Sequence, residues 1–462
     1  MAEWHEDPLM RDYPSGRVPA EGHYGGWSAL MIWSGTLISL PLIMAGLATG
    51  ANMSLPMSAT VFFGAYAVLG MMGGMVAYVG GQTHLSTFIL TRITFGRLGA
   101  WLATLIIAAT LFLWFGIQIN LLAERLQYAI SDITGHLLPL RFLRIITTLL
   151  ISSTAIVGIV AVHVMSLIGV IYLIGLLSIP LILFFLDSGI EFMSLVDQHQ
   201  PRTTITISGA ISLLIAQKAF LAALTADIGR FTESGIKAGF STFCAFAIVA
   251  PLVAMCAVIL AAITGESSFL GALSVTGWGL AAISLLMMAS WTSADTVLYI
   301  GALSIAGVLK RHRKWIVTLS CSILLTLWIA FQLNGQDPDQ FLPFDWQQIA
   351  GILLSPMAAT IVVAYLYDRT IYEKADHIRS RMMKPLTLTV WLSGVLIGLA
   401  TLPQESGGLE IFKLSSIAVI DSYLSASLIA LILFTIKHAL TGSIFKADWD
   451  RQNVSLEIDN DE

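Results

Sequence analysis

Apolar residues gather into long runs near residues 29–50, 57–80, 99–122, 143–163, 166–186, 204–226, 240–264, 278–307, 313–333, 347–367, 386–403 and 413–439, separated by polar joins. Each run approaches the roughly 20 residues a helix needs to cross the hydrocarbon of a bilayer. The pattern predicts an all-α membrane protein with twelve transmembrane helices, the fourth and fifth divided by a short uncharged join around His163. It also makes the polar positions the informative ones, because a lipid-facing helix has no use for them.

Composition agrees with the pattern. The chain is 56% hydrophobic and 11% charged, whereas soluble domains carry about 25% charged residues. The net charge of −5 is spread between loops and termini and suggests no nucleic-acid partner. Cys244, Cys256 and Cys321 all fall inside apolar runs, so neither a disulfide framework nor a metal site is indicated. The first 28 residues are polar and mixed in charge, without the basic start and cleavage site of a secretory signal, so the first run is expected to remain as a span. Alternate loops carry thirteen Lys and Arg on one side against five on the other. By the positive-inside rule this places both termini in the cytoplasm of a multi-pass protein of the plasma (inner) membrane, and an even span count follows. The basic stretch KRHRK at 310–314 reads as part of that orientation signal.

One cation does not fit any loop, terminus or span end. Lys218 lies inside the sixth run, and the next charge, Asp227, is nine residues on. That is roughly 13 Å of helix, too far for a stem of about 6 Å to carry the ammonium to water. A cation in mid-membrane costs about 3 kcal/mol or more, so it is expected to face a cavity, a partner or a substrate.

Three spans carry further polar stripes. In the third, Thr110, Trp114 and Gln118 recur every four residues on one face. In the eighth, Thr292, Asp295 and Tyr299 share a face, with Ser293 alongside Thr292, and in the sixth Gln217 and Lys218 precede Thr225. The first span holds Gly35, Ser39, Pro41 and Gly46, a composition that weakens a helix midway. Each has a plain structural reading as well. Trp114 serves as packing bulk, the hydroxyls bond back to the preceding turn, Gln118 bridges helices, Pro41 makes a kink, and the glycines at 70–75 allow close helix packing. Asp295 also reads as a buried partner for Lys218. Taken together, the stripes reach a transporter or channel with a polar site at mid-membrane, a place where broken helices expose carbonyls and helix ends.

The stretches LTADIGRF (224–231), SWTSADTVLY (290–299), TRITFGRLGAW (91–101) and WFG (114–116) resemble the cytosine permease branch of nucleobase–cation symporter family 1. The resemblance implies a leucine-transporter-like fold in which two five-helix units are arranged as an inverted repeat, with helices 1 and 6 interrupted and the last two helices peripheral. On this chain the division would be 1–28 as an N-terminal segment, 29–186 and 204–367 as the repeats, 386–439 as the peripheral pair and 440–462 as a tail. It further implies Trp114 as the ring on which a flat heterocycle stacks, Gln118 as a polar reader of that ligand, and Thr292 and Ser293 with the carbonyls of Gly35 and Ile38 as sodium ligands. An indole face suits such a ring, since offset stacking adds about 1 kcal/mol beyond area burial.

The departures from the family pattern matter equally. Lys218 aligns where a second aromatic is expected, Gln217 replaces a neighbouring serine, Leu111 replaces a glutamine, and Ala289 and Ala294 replace two asparagines. Phe220 is a candidate for the missing ring, but on an unbroken helix it points about 200° from Lys218. Readers of a neutral aminopyrimidine are thus reduced, and a donor-only cation is gained. The expectation is therefore a secondary transporter that imports a nucleobase-related heterocycle, carbonyl-rich or anionic, with sodium as the coupling ion and no organic cofactor. Its substrate-site candidates are Trp114, Gln118, Gln217, Lys218, Phe220, Ser39 and Asp295. Proton coupling through Lys218 is the alternative; a membrane-embedded enzyme is less favoured, as no metal-ligand, nucleophile-elbow or phosphate-loop motif is present.

Overall fold

A proline in an apolar helix removes one N–H and crowds the carbonyl four residues back, and the chain breaks first where that happens. The computed structural model describes residues 12–188, 206–266, 271–273, 279–310, 313–331, 345–373 and 381–445. Its first two helices, α1 (Gly26–Leu37) and α2 (Leu40–Asn52), are bent by 60° about Ile38 and Ser39. Pro41 has no N–H to offer Leu37, and the Leu37 carbonyl instead accepts the N–H of Ser39 at 2.7 Å.

The remaining helices are α3 (Leu55–Thr83), α4 (Thr87–Thr134), α5 (Leu140–Val157), α6 (Ile159–Ser188) and α7 (Ile207–Ala222). After them come α8 (Gly235–Cys244), continued through a π turn into α9 (Ala250–Thr264), then α10 (Gly279–Val308), α11 (Lys314–Phe331), α12 (Trp346–Tyr367), α13 (Pro385–Thr401) and α14 (Ala418–Thr441). Eight helical spans are long and apolar enough to cross a bilayer, the bent α1–α2 pair makes another, and α7, α11 and α13 are shorter apolar helices. These fall on the twelve runs read from the sequence.

Two boundaries differ from expectation in an instructive way. The fourth and fifth spans part at Gly158, not around His163; Gly158 takes φ 117°, a backbone that side-chain-bearing residues rarely adopt, and α6 runs through His163 without interruption. The sixth span does break, but only after Ala222. From there Leu224 N bonds to Leu221 O and Asp227 N to Leu224 O, three-residue bonds that replace the α-helical ladder.

Large apolar side chains such as Leu105, Ile171, Ile182, Leu324, Leu396 and Ile432 stand exposed on the outside of the bundle. Such a surface belongs in lipid, not water. Inside, α1 packs on α6, α8 and α10, while α7 packs on α3 and α12, and α12 on α4. The glycines near 70 do bring α3 close to α7 and α8: a β-carbon on Gly73 would lie 3.1 Å from Thr225, and one on Gly70 would lie 3.2 Å from Phe243. Helices α13 and α14 pack on each other and on α12. The first eleven residues and the tail from residue 446 lie outside the described residues.

At one end, the segment before α1 folds back onto the bundle. Asp12 is buried and forms an ion pair with Lys314 at 3.0 Å, and its other carboxylate oxygen accepts Ile159 N at 3.0 Å. Lys314 also donates to Ala155 O at 2.9 Å. Arg230, fully buried, donates to the carbonyls of Tyr13 and Asp12. Read from sequence, Arg230 and Lys314 were orientation charges in loops. Both are structural cations that clamp the N-terminal segment across the ends of α5, α6 and α11.

Candidate substrate and cation site

The break in the first span releases particular carbonyls. In a continuous helix Gly35 O would accept Ser39 N and Ile38 O would accept Leu42 N. Here Ser39 N turns to Leu37 O, and Leu42 N turns to Ser39 O at 3.0 Å. Gly35 O is met instead by the hydroxyl of Thr292, which donates to it across from α10 at 3.0 Å. Ser293 beside it is buried, and its Oγ has no hydrogen-bond partner. The Gly35 carbonyl and the Thr292 hydroxyl in contact are neutral oxygens, the kind of donor a hard monovalent cation takes. Among the described residues, no cluster of three or more His, Cys, Asp or Glu is placed to hold a metal ion.

Of the substrate-site candidates, Lys218, Ser39 and Phe220 meet around Trp114 on α4. Lys218 Nζ lies 5.0 Å from the centre of the Trp114 ring and donates to Ser39 Oγ at 2.9 Å, at the bend itself. Phe220 stands edge-on to Trp114 with ring centres 5.8 Å apart. Both contacts occur although α7 is still helical at 218 and 220, so unwinding is not what brings the two side chains to one ring. The length of the lysine stem lets its ammonium reach the tryptophan from its own face of the helix.

Trp346, at the start of α12, closes the group at 6.0 Å from Trp114 and 6.1 Å from Phe220. This third ring was not singled out from the sequence, where it closes the acidic stretch GQDPDQFLPFDW. Only the distance between α12 and α4 reveals it.

Lys218, Trp114 and Phe220 are all buried, so the group is sealed from solvent. Trp114 Nε1 in this group is buried without a partner, as are both amide atoms of Gln118, one turn further along α4, and Gln217 Oε1, next in the chain to Lys218. Interiors leave few such atoms without a reason.

Asp295 is not brought into this group. Its carboxylate accepts the hydroxyls of Thr154 at 3.1 Å and Thr296 at 3.3 Å, and Thr154 in turn accepts Trp291 Nε1. Lys218 is bonded to Ser39 rather than to Asp295, so the buried-pair reading of the two does not describe this structure. The stripe on the eighth span splits between two directions, Thr292 toward α1 and Asp295 toward α5.

A membrane bundle with two interrupted helices meeting at an enclosed polar centre is the architecture of a secondary transporter. The model of the family of permeases for cytosine/purines, uracil, thiamine and allantoin matches residues 17–424, and the chain belongs to that family. It is a permease, not an enzyme. A cytosine permease of Escherichia coli O157:H7 is 26% identical over 370 residues, 78% of this chain and 83% of the relative. Among solved structures, the fold is similar to that of Mhp1, a nucleobase-cation-symport-1 family transporter in a closed conformation with bromovinylhydantoin bound. The TM-score is 0.73 at 14% identity, covering 97% of this chain and 99% of Mhp1. A Na+-coupled sialic acid symporter in a substrate-bound outward-open state shares the fold at a TM-score of 0.66 and 14% identity, over 92% of this chain and 93% of that one. The all-α, leucine-transporter-like reading therefore stands.

Proposed function

We propose that this permease imports a nucleobase-related heterocycle, carbonyl-rich or anionic, in symport with sodium, from a plasma (inner) membrane with both termini cytoplasmic. The observation that carries the reading is the Lys218 ammonium, held over Trp114 and bonded to Ser39 at the bend of the first span. An ammonium offers three donors and no acceptor. A ring stacked on Trp114 would meet it with a carbonyl or an anionic oxygen, while the Gln118 amide and Gln217 Oε1, which lack partners, would supply further polar groups. Phe220 and Trp346 would bound the ring on its remaining sides.

Sodium would be held by Thr292, Ser293 and the released carbonyls of Gly35 and Ile38. Because Gly35, Ile38 and Ser39 belong to one bend, the cation and the substrate-facing lysine report to the same hinge. Coupling of about 1–3 kcal/mol between the two sites is enough for symport. The relatives support this reading in kind: Mhp1 is a nucleobase-cation symporter by name, and the sialic acid transporter is Na+-coupled.

Proton coupling has one observation in its favour. Lys218 places a group that can carry a proton against Ser39, at the bend that releases the carbonyls. Uptake into proteoliposomes under a sodium gradient, and separately under a pH gradient, distinguishes the two. Sodium-driven uptake of an oxo-purine or oxo-pyrimidine anion is expected. Lys218→Ala should weaken binding of that substrate by about tenfold or more, the loss of one charged hydrogen bond. Uptake that runs equally in sodium-free buffer would reject sodium coupling, and unchanged binding by Lys218→Ala would reject recognition by the lysine.

A further inference from the structure

Most hydroxyls buried in this bundle bond back to a carbonyl one turn earlier, as Thr36 does to Ile32, Thr292 to Met288 and Thr296 to Thr292. Ser166 on α6 does not. It is fully buried, and its Oγ has no hydrogen-bond partner. Leaving such a hydroxyl unsatisfied costs about 1–3 kcal/mol, although the usual remedy, the carbonyl of the preceding turn, lies within reach of a serine.

Its position explains what it is turned toward. A β-carbon built on Gly35 would stand 3.1 Å from both Cβ and Oγ of Ser166 and 3.3 Å from its Cα. Helix α6 therefore crosses α1 as closely as a bare glycine permits, with Ser166 against the residue whose carbonyl the bend has released. About one turn on, Gly169 faces Thr292, and a β-carbon there would collide with the threonine methyl. The two contacts set α6 as a third wall beside α1 and α10. At that junction lie the Gly35 carbonyl and the Thr292 hydroxyl, and the hydroxyl of Ser293, next in the chain to Thr292, is equally unpartnered.

We propose that Ser166 Oγ is a further ligand of the coupling cation, so that the ion is held by α6 as well as by α1 and α10. The proposal rests on the sodium reading given above. A neutral hydroxyl adds to the field on the ion without adding charge, and the set remains suited to a monovalent cation, since divalent ions draw on carboxylates. A third helix in the shell has a mechanical consequence too. Cation release frees α6 from the bend of α1, so movement of α6 is tied to the ion directly.

The test is sodium-dependent thermal stabilisation of the purified full-length protein, with sodium chloride exchanged for choline chloride at constant ionic strength. Ser166→Ala should raise the sodium concentration for half-maximal stabilisation by about tenfold, as loss of one ligand implies. Ser152→Ala removes another buried, unpartnered hydroxyl outside this junction and should leave it unchanged. Ser166→Cys, which keeps the volume and replaces oxygen with a poor ligand for a hard cation, should behave like the alanine variant and carries the test if alanine impairs folding. If Ser166→Ala and Ser166→Cys titrate like the unaltered protein while Thr292→Ala is weakened, Ser166 is no ligand and the sodium reading survives. If the unaltered protein shows no sodium-dependent stabilisation, the sodium reading itself falls and this proposal falls with it.

Discussion

A lysine in the middle of an apolar helix has few neutral explanations, and Lys218 has none of the usual ones. It does not reach water and forms no pair with Asp295; it bonds to Ser39 and lies over Trp114. That it faces the bundle interior was legible in the sequence, because an ammonium facing lipid would cost several kcal/mol. Its partner was not legible, since Ser39 is 179 residues away. A histidine pair sits at the same end of the bundle as Arg230. His23 and His84 stack with ring centres 3.9 Å apart, and His84 Nδ1 lies 3.0 Å from Arg230 O. Burial, followed by the nearby His23 and Arg17 charges, holds His84 below the ordinary histidine range, against a raising contribution from the Arg230 carbonyl. A histidine whose folded value is lowered favours the neutral ring. Its contribution is thus complete above the unfolded value and fades as pH falls through the folded one. The melting temperature should drop as pH falls below about 6.5, the ordinary histidine value, and His84→Gln should flatten that dependence; an identical slope in the variant would exclude His84 as its source.

Among the elements, the α1–α2 bend is the one on which both halves of the site depend. It was predictable that Gly35, Ser39, Pro41 and Gly46 would weaken the first span. The stereochemistry of proline places the break at the residues four back from its ring, which is where Leu37 loses its ladder partner. Pro41→Ala restores an N–H able to bond Leu37 O and returns α1 and α2 toward one helix, reversing a preference of about 3 kcal/mol. The carbonyls of Gly35 and Ile38 would then be drawn back into the ladder. Weaker sodium-dependent stabilisation is expected, with the half-maximal concentration raised about threefold or more. A titration matching the unaltered protein would mean that the bend does not depend on the proline. The sixth span was harder to read. Its break after Ala222 carries no proline or glycine, and the three-residue bonds at Leu224 and Asp227 are imposed by packing on α3, where Thr225 donates to Gly73 O at 2.6 Å.

Across the whole molecule, one end of the bundle is closed by the segment that precedes α1. Asp12, Lys314 and Arg230 are buried, and the ion pair at 3.0 Å joins the N-terminal segment to α11 while Ile159 N and Ala155 O bring in α6 and α5. Removing one member of such a pair leaves a buried charge and costs about 3–5 kcal/mol, whereas replacing both members costs far less. Asp12→Asn should therefore lower the melting temperature markedly, and the double variant Asp12→Asn with Lys314→Met should recover part of the loss. Additive losses in that cycle would show that the two residues do not act together.

The division between what sequence and structure contribute follows from the range of the forces involved. Apolar runs of spanning length, the positions of charges, the weak first span and the misplaced Lys218 are local properties of the chain, determined by the cost of putting polar groups into hydrocarbon. That cost is the same wherever the neighbours lie, so an all-α membrane bundle and an inward-facing lysine were determined by sequence alone. The Trp114–Phe220–Trp346 cluster, the turning of Asp295 toward Thr154, the approach of Ser166 to Gly35 and the Asp12–Lys314 pair were decided by tertiary structure. Each depends on which helices lie side by side and at what rotation, and contacts of a few ångströms between residues more than a hundred positions apart leave no periodicity for a sequence to display.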